Sequence, residues 1–213
     1  GIADPDGTHL LVLARDAEGY RRLSHTITRA QMAGEKGQPV YDETLLSDAA
    51  SGHWIVLTGC RKGSVRQALN DGGTPAAARA LDELIELYGR DNVMVELSDH
   101  CQPLDSDRND ILYALAQRVR IGVVATTNAH VATPDKLPLA TALASLRGRS
   151  SLQDFAGWLP PTSAHLRSGD EMFERFKRYH GAYETTSNTG RACAFDLTVI
   201  APNLPAWHVP PGN

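Results

Sequence analysis

The chain has 213 residues, 42% of them apolar and 22% charged, with a formal net charge of −4. That composition fits a globular domain with a smaller appendage and excludes disordered and collagen-like classes. No run of eighteen apolar residues occurs, so no membrane-spanning helix is expected. Three widely spaced cysteines, Cys60, Cys101 and Cys193, do not read as a secreted disulfide framework and point to a reducing cytoplasm. No concentrated basic tract is present, so DNA is expected to be held only through a longer protein. The opening Gly1-Ile2-Ala3-Asp4-Pro5 lacks an initiator Met and the order of a signal peptide, and the expectation is a start inside a longer gene product.

In chain order, residues 9–14 form the first short apolar run, rich in Leu and Val and without clean alternation. Similar runs lie at 54–58, 93–97 and 122–126, and all four read as parallel strands covered on both faces. Helical patterns separate them. Asp16 suits an N-cap for a helix burying Tyr20, Leu23, Ile27 and Ala30. Thr74-Pro75 opens a second helix with a stripe of Leu81, Leu84, Ile85 and Tyr88, closed by Gly89. Ile111, Leu112, Leu115 and Val119 mark a third. The alternation predicts an α/β fold with right-handed crossovers, as an open sheet or part of a barrel. Beyond Pro134 the pattern becomes helical: 137–146, a loop over 150–161, a capping box at Ser168-Gly169-Asp170-Glu171 and a last helix near 182–193. Residues 202–212 are Pro-rich and read as an extended linker.

Ligands of parallel α/β folds gather at the carboxyl ends of strands. Cys60 follows the second strand there, and Asn128 and His130 follow the fourth. His9 opens the first strand, at the other end, and joins them only with a local bend or a shifted boundary. Thiol, imidazole and amide oxygen are the donors a zinc-like ion takes. The same residue types also serve as a small buried hydrophobe, a backbone-bonded histidine and a turn residue. No HxH, HExxH or CxxC occurs, nor any GxGxxG after a strand, GxxxxGK[ST] or GxSxG. Glu96 and Asp99 could form a carboxylate pair, and Arg61, Lys62 and Arg66 could greet a phosphate or start a solvated helix. His53, His100, His165, His180 and His208 read as surface residues.

Five motifs in order resemble the PHP domain of bacterial C-family DNA polymerases, the DNA polymerase III alpha subunits and their relatives. They are His9-Leu10-Leu11-Val12-Leu13-Ala14 with Gly19-Tyr20-Arg21-Arg22-Leu23; Thr58-Gly59-Cys60-Arg61-Lys62-Gly63; Glu96-Leu97-Ser98-Asp99-His100; Val124-Ala125-Thr126-Thr127-Asn128-Ala129-His130 before Thr133-Pro134; and Leu166 through Phe176. Ala192-Cys193-Ala194-Phe195-Asp196-Leu197, Leu204-Pro205 and Pro210-Pro211-Gly212 are similar to that family's approach to its polymerase core, and the wording resembles the error-prone branch.

The resemblance implies a distorted (β/α)7 barrel, here a partial one, with a mainly helical C-terminal extension. Residues 1–135 would be the later part of the PHP domain, 136–201 the helical extension and its end, and 202–213 a linker toward the polymerase core. It places the family's late metal ligands on His9, Cys60, Asn128 and His130. The intact family site takes zinc or manganese, but Asn128 stands where an Asp is usual, and the early His-x-His ligands would lie upstream. A weak or missing metal and a structural role without catalytic residues are therefore expected. The alternative is a metal-dependent phosphoesterase or 3′-5′ exonuclease. Implied partners are the polymerase core of the same protein, DNA through that protein, and replication or mutagenesis accessory proteins, in synthesis past DNA damage and with no membrane. A barrel without its early strands would expose edges, so the chain is expected to hide them by dimerising, swapping strands or rearranging its tail.

Overall fold

A computed structural model describes residues 2–3, 8–149, 151–154, 163–196 and 198. The expected loop over 150–161 lies mostly outside the described residues, and His208 and the linker at 202–212 lie wholly outside them.

Among the described residues, five strands and seven helices follow in the order β1 (Ile2–Ala3), β2 (His9–Ala14), α1 (Ala17–Ala33), α2 (Glu43–Ala50), β3 (Trp54–Leu57), α3 (Ser64–Tyr88), β4 (Val93–Ser98), α4 (Asp105–Val119), β5 (Gly122–Thr126), α5 (Leu137–Gly148), α6 (Gly169–Phe176) and α7 (Ala182–Ala192). The local signals act as expected. Asp16 caps α1 by accepting from Gly19 N at 2.7 Å, and its carboxylate also meets His53 Nδ1 at 2.9 Å. Ser168 and Glu171 exchange both bonds of a capping box at the start of α6. Helix α3 is broken at Gly73, whose φ of 65° no helix allows, so its second half restarts beside Thr74-Pro75.

The strands stand in sequence order in one mixed α/β sheet. β3, β4 and β5 run parallel, but β2 runs antiparallel to β3, pairing Ala14 with Trp54 and Leu11 with Leu57. The parallel direction expected of residues 9–14 is thereby corrected. The physical cause is the connection: Arg15 N bonds His53 O at 2.9 Å, so α1 and α2 leave and re-enter at one end of the sheet.

One core lies between the sheet and its helices, with Trp54, Val56, Val95 and Leu97 against Val65, Leu81 and Leu112. A smaller one holds Ile55, Leu57 and Val124 with Leu11, Leu13, Met94 and Cys193. α1 buries part of the expected face and part of a neighbouring one: Ala30 is buried and Leu23 packs against the main core as expected, joined by Gly19 and Thr26, whereas Tyr20 and Ile27 are exposed. Gly19 sets this orientation. Its carbonyl accepts from Trp54 Nε1 at 2.9 Å, and a Cβ there would sit 2.4 Å from His53 O. The outer edge of β5 is covered by α7, where Thr186 Oγ1 accepts from Ala125 N at 2.8 Å.

Candidate functional site

The carboxyl ends of the three parallel strands carry Thr58, Ser98 and Thr126. Loop 58–63 turns sharply there. Gly59 adopts φ 77°, Gly63 N bonds Cys60 O at 2.8 Å, and a Cβ on Gly63 would stand 2.0 Å from Thr58 O. Only glycine fits both the left-handed turn and the close approach. His9 N donates to Lys62 O of this loop at 2.7 Å. His9 thus lies at the same end as Cys60, through strand direction and with neither a bend nor a shifted boundary.

The floor of the site is Glu96, 5% exposed. Its backbone N–H donates to Thr58 Oγ1 at 2.9 Å, and its Oε1 accepts from Thr126 Oγ1 at 2.5 Å. Burial raises its pKa, against the opposing effect of the Thr126 hydrogen bond. Its Oε2 is buried without a hydrogen-bond partner. Asn128 N donates to Thr126 Oγ1 at 3.3 Å, which extends the chain of contacts to a residue at φ 41°, a left-handed conformation asparagine tolerates.

Asn128 Nδ2 lies 3.5 Å from His100 Nε2. His100 is 6% exposed and does not belong with the surface histidines where its loop position put it. Asp105, buried in the first turn of α4, accepts from His100 N at 2.9 Å and Gln102 N at 3.1 Å and folds the loop inward. Burial lowers the His100 pKa; Arg167 and His130 add to the lowering, and Asp105 opposes it. No periodicity marks such a residue, and the only signal was its place at the end of the Glu96-to-His100 motif.

His130 sits exposed at the rim, with its N–H bonded to Ala164 O at 2.9 Å. Its pKa is lowered by desolvation and then by Arg61 and Lys62, and Lys62 also lowers that of His9 after desolvation. Glu96 and Asp99 are not paired with each other: Glu96 engages Thr126, and Asp99 meets Arg175 at 3.2 Å. Among the described residues no three His, Cys, Asp or Glu side chains gather as a metal-holding group. The strand ends thus bring His9 to the Cys60 loop and Asn128 to His100, with cationic side chains around them.

The PHP domain family matches residues 2–100, a span that contains His9 and Cys60 but not Asn128 or His130. Over 212 residues the chain is 54% identical to an error-prone DNA polymerase of Mycolicibacterium paratuberculosis and 52% identical to that of Mycobacterium tuberculosis, each alignment taking in 99% of this chain. It is 51% identical to the error-prone DNA polymerase of Nocardia farcinica over 221 residues, an alignment that takes in 100% of this chain. The chain spans 19% of the length of each of these curated relatives.

Proposed function

Because this chain belongs to the PHP-bearing region of the error-prone DNA polymerase family, we propose that it is a structural platform for the polymerase core of such an enzyme and performs no catalytic step itself. The single observation that carries this reading is identity above 50% along the whole chain to a 19% portion of those polymerases. The intact protein would be a cytoplasmic DNA-directed DNA polymerase acting in DNA repair and in replication past damage, and would meet DNA and accessory proteins through its other parts. The sheet described above would form part of a distorted (β/α)7 barrel, with residues 136–201 as its helical extension and 202–213 leading toward the core.

By the resemblance, His9, Cys60, Asn128 and His130 would stand at the positions of family metal ligands. The Cys60 thiol and the His9 and His130 imidazoles are donors that zinc would take, whereas manganese, which favours oxygen ligands, would find only the neutral Asn128 carboxamide, and Lys62 bears on both imidazoles. The competing reading, a metal-dependent phosphoesterase or 3′-5′ exonuclease, draws support from the strand direction that brings His9 to the Cys60 loop.

The deciding experiment uses the intact gene product. Template-directed nucleotide incorporation, opposite undamaged and abasic templates, is measured alongside excision of 3′ nucleotides, for the parent and for Cys60→Ala and His130→Ala. The platform reading expects incorporation, no metal-dependent excision, and variants that alter only thermal stability. Metal-dependent excision that Cys60→Ala abolishes replaces it with the phosphoesterase.

A further inference from the structure

We propose that the cavity between β2, α2 and the second half of α3 is the seat of a basic, apolar segment from another part of the same polymerase. The inference rests on the platform reading and deepens it, by giving the place of one such contact and the chemistry that fits it.

The cavity has a volume of about 440 Å³, inside the range of roughly 300–1,000 Å³ usual for ligand sites. Leu10 of β2, Leu46 of α2 and Leu84 and Leu87 of α3 give it an apolar wall. His9 is the residue it shares with the strand-end site. Glu43, Glu83 and Glu86 stand exposed around it, and among the described residues none of the three has a hydrogen bond or an ion pair. Glu83 and Glu86 lie three residues apart on the face of α3 that also carries Leu87. Like charges at that spacing repel and weaken a helix, so folding alone gives no reason for them.

Tyr88 is a second, independent sign of a missing partner. It lines the cavity and is 7% exposed, yet its hydroxyl has no hydrogen-bond partner among the described residues. Native folds leave few such groups unpaired. Burial, and then the Glu43 charge, push its pKa up to about 12, so it stays an O–H group beside a carboxylate. A Lys or Arg head would give the hydroxyl a donor and the carboxylates a counter-charge, while its aliphatic stem and a neighbouring apolar side chain lie along the leucines. Length and charge say where that segment comes from. The chain spans 19% of its curated relatives, so most of such a polymerase lies outside it. A protein that holds DNA does so with Lys and Arg, whereas this chain carries a net charge of −4. The cationic partner of the acidic cavity is therefore supplied by that remainder.

The test titrates the capped peptide Arg-Leu-Leu-Arg into the chain, beside Glu-Leu-Leu-Glu and Arg-Ser-Ser-Arg, reading the Leu10 and Tyr88 resonances. Saturable binding of the first peptide alone is expected. It should be about fivefold weaker or more in Glu83→Gln/Glu86→Gln, weaker in Ala80→Leu, which fills part of the cavity, and unchanged in Glu35→Gln at an exposed turn. Thermal melts check folding, and the exposed glutamine pair decides where Ala80→Leu does not fold. No saturation, equal binding of either control peptide, or a glutamine pair that binds like the parent overturns the proposal. Carbodiimide amidation of Glu83 and Glu86, read by mass spectrometry, then compares the chain with the intact gene product. Protection of both carboxylates in the intact protein, with no uptake of the peptide, is expected. Equal labelling, or uptake of the peptide there, overturns an occupant from the same polymerase. Metal-dependent excision of 3′ nucleotides would end the platform reading while leaving the peptide isotherms as they are, so the two failures are told apart.

Discussion

Thr126 donates its hydroxyl proton to Glu96 Oε1 at 2.5 Å, tying the last residue of β5 to a buried carboxyl on β4. Burial raises the Glu96 pKa, so the folded state favours the protonated form. The sign follows from linkage. The contribution of Glu96 is fully present below its unfolded pKa, about 4.3, and is lost as pH rises through the higher folded value. Glu96→Gln keeps an acceptor for Thr126 and removes the charge. The variant is expected to be more stable than the parent at pH 8, with the difference shrinking as the pH falls toward 4. Urea unfolding of both proteins across that range checks this, and parallel stability curves would refute a Glu96 pKa raised by burial.

Loop 58–63 makes a steric prediction. A Cβ on Gly63 would lie 2.0 Å from Thr58 O and 3.0 Å from its carbonyl carbon, and backbone atoms cannot yield as a flexible side chain does. Gly63→Ala is expected to cost about 1–3 kcal/mol from overpacking, and to shift the resonances of Cys60 and His9, whose backbones the loop positions. Gly37 gives the comparison. Its φ of 81° is strained for alanine but no atom lies within 4 Å of the added carbon, so Gly37→Ala is expected to cost about 1 kcal/mol. Denaturation midpoints of the two variants in the reverse order would contradict the close approach of Gly63.

The strands were legible because apolar, β-branched runs bounded by polar turns have few other uses, and residues 9–14 and 122–126 match β2 and β5 end to end. Their direction was not. β2 is only half-buried along its length, and an apolar strand has the same residue types whichever way it runs; only the return of α1 and α2 to one end of the sheet, fixed by the Arg15–His53 bond, reverses it. Cys60 and Asn128 were expected at the carboxyl end of the parallel strands and lie there, because strand ends locate them. His9 was put at the wrong end by the same reasoning, since its placement depended on that direction. His100 was misjudged because loop burial follows from a partner, here Asp105, that no local pattern announces.

Helix α5 makes the last prediction. Leu139, Leu143 and Leu146 recur at helical spacing and are 61%, 56% and 73% exposed, whereas Leu81 of α3 is fully buried. A leucine facing water in the folded chain gains little from folding, so replacing it removes little. The double variant Leu139→Lys/Leu143→Lys is expected to change stability by less than about 0.5 kcal/mol. Leu81→Ala, which opens a cavity in the main core, is expected to cost about 2–5 kcal/mol. Thermal melts are paired with light scattering at high concentration, because an apolar stripe of this kind favours self-association. If the lysine pair destabilises the chain as much as Leu81→Ala and also shrinks its scattering mass, the stripe is buried between two copies. In that case the exposure seen in the single chain is not the state in solution.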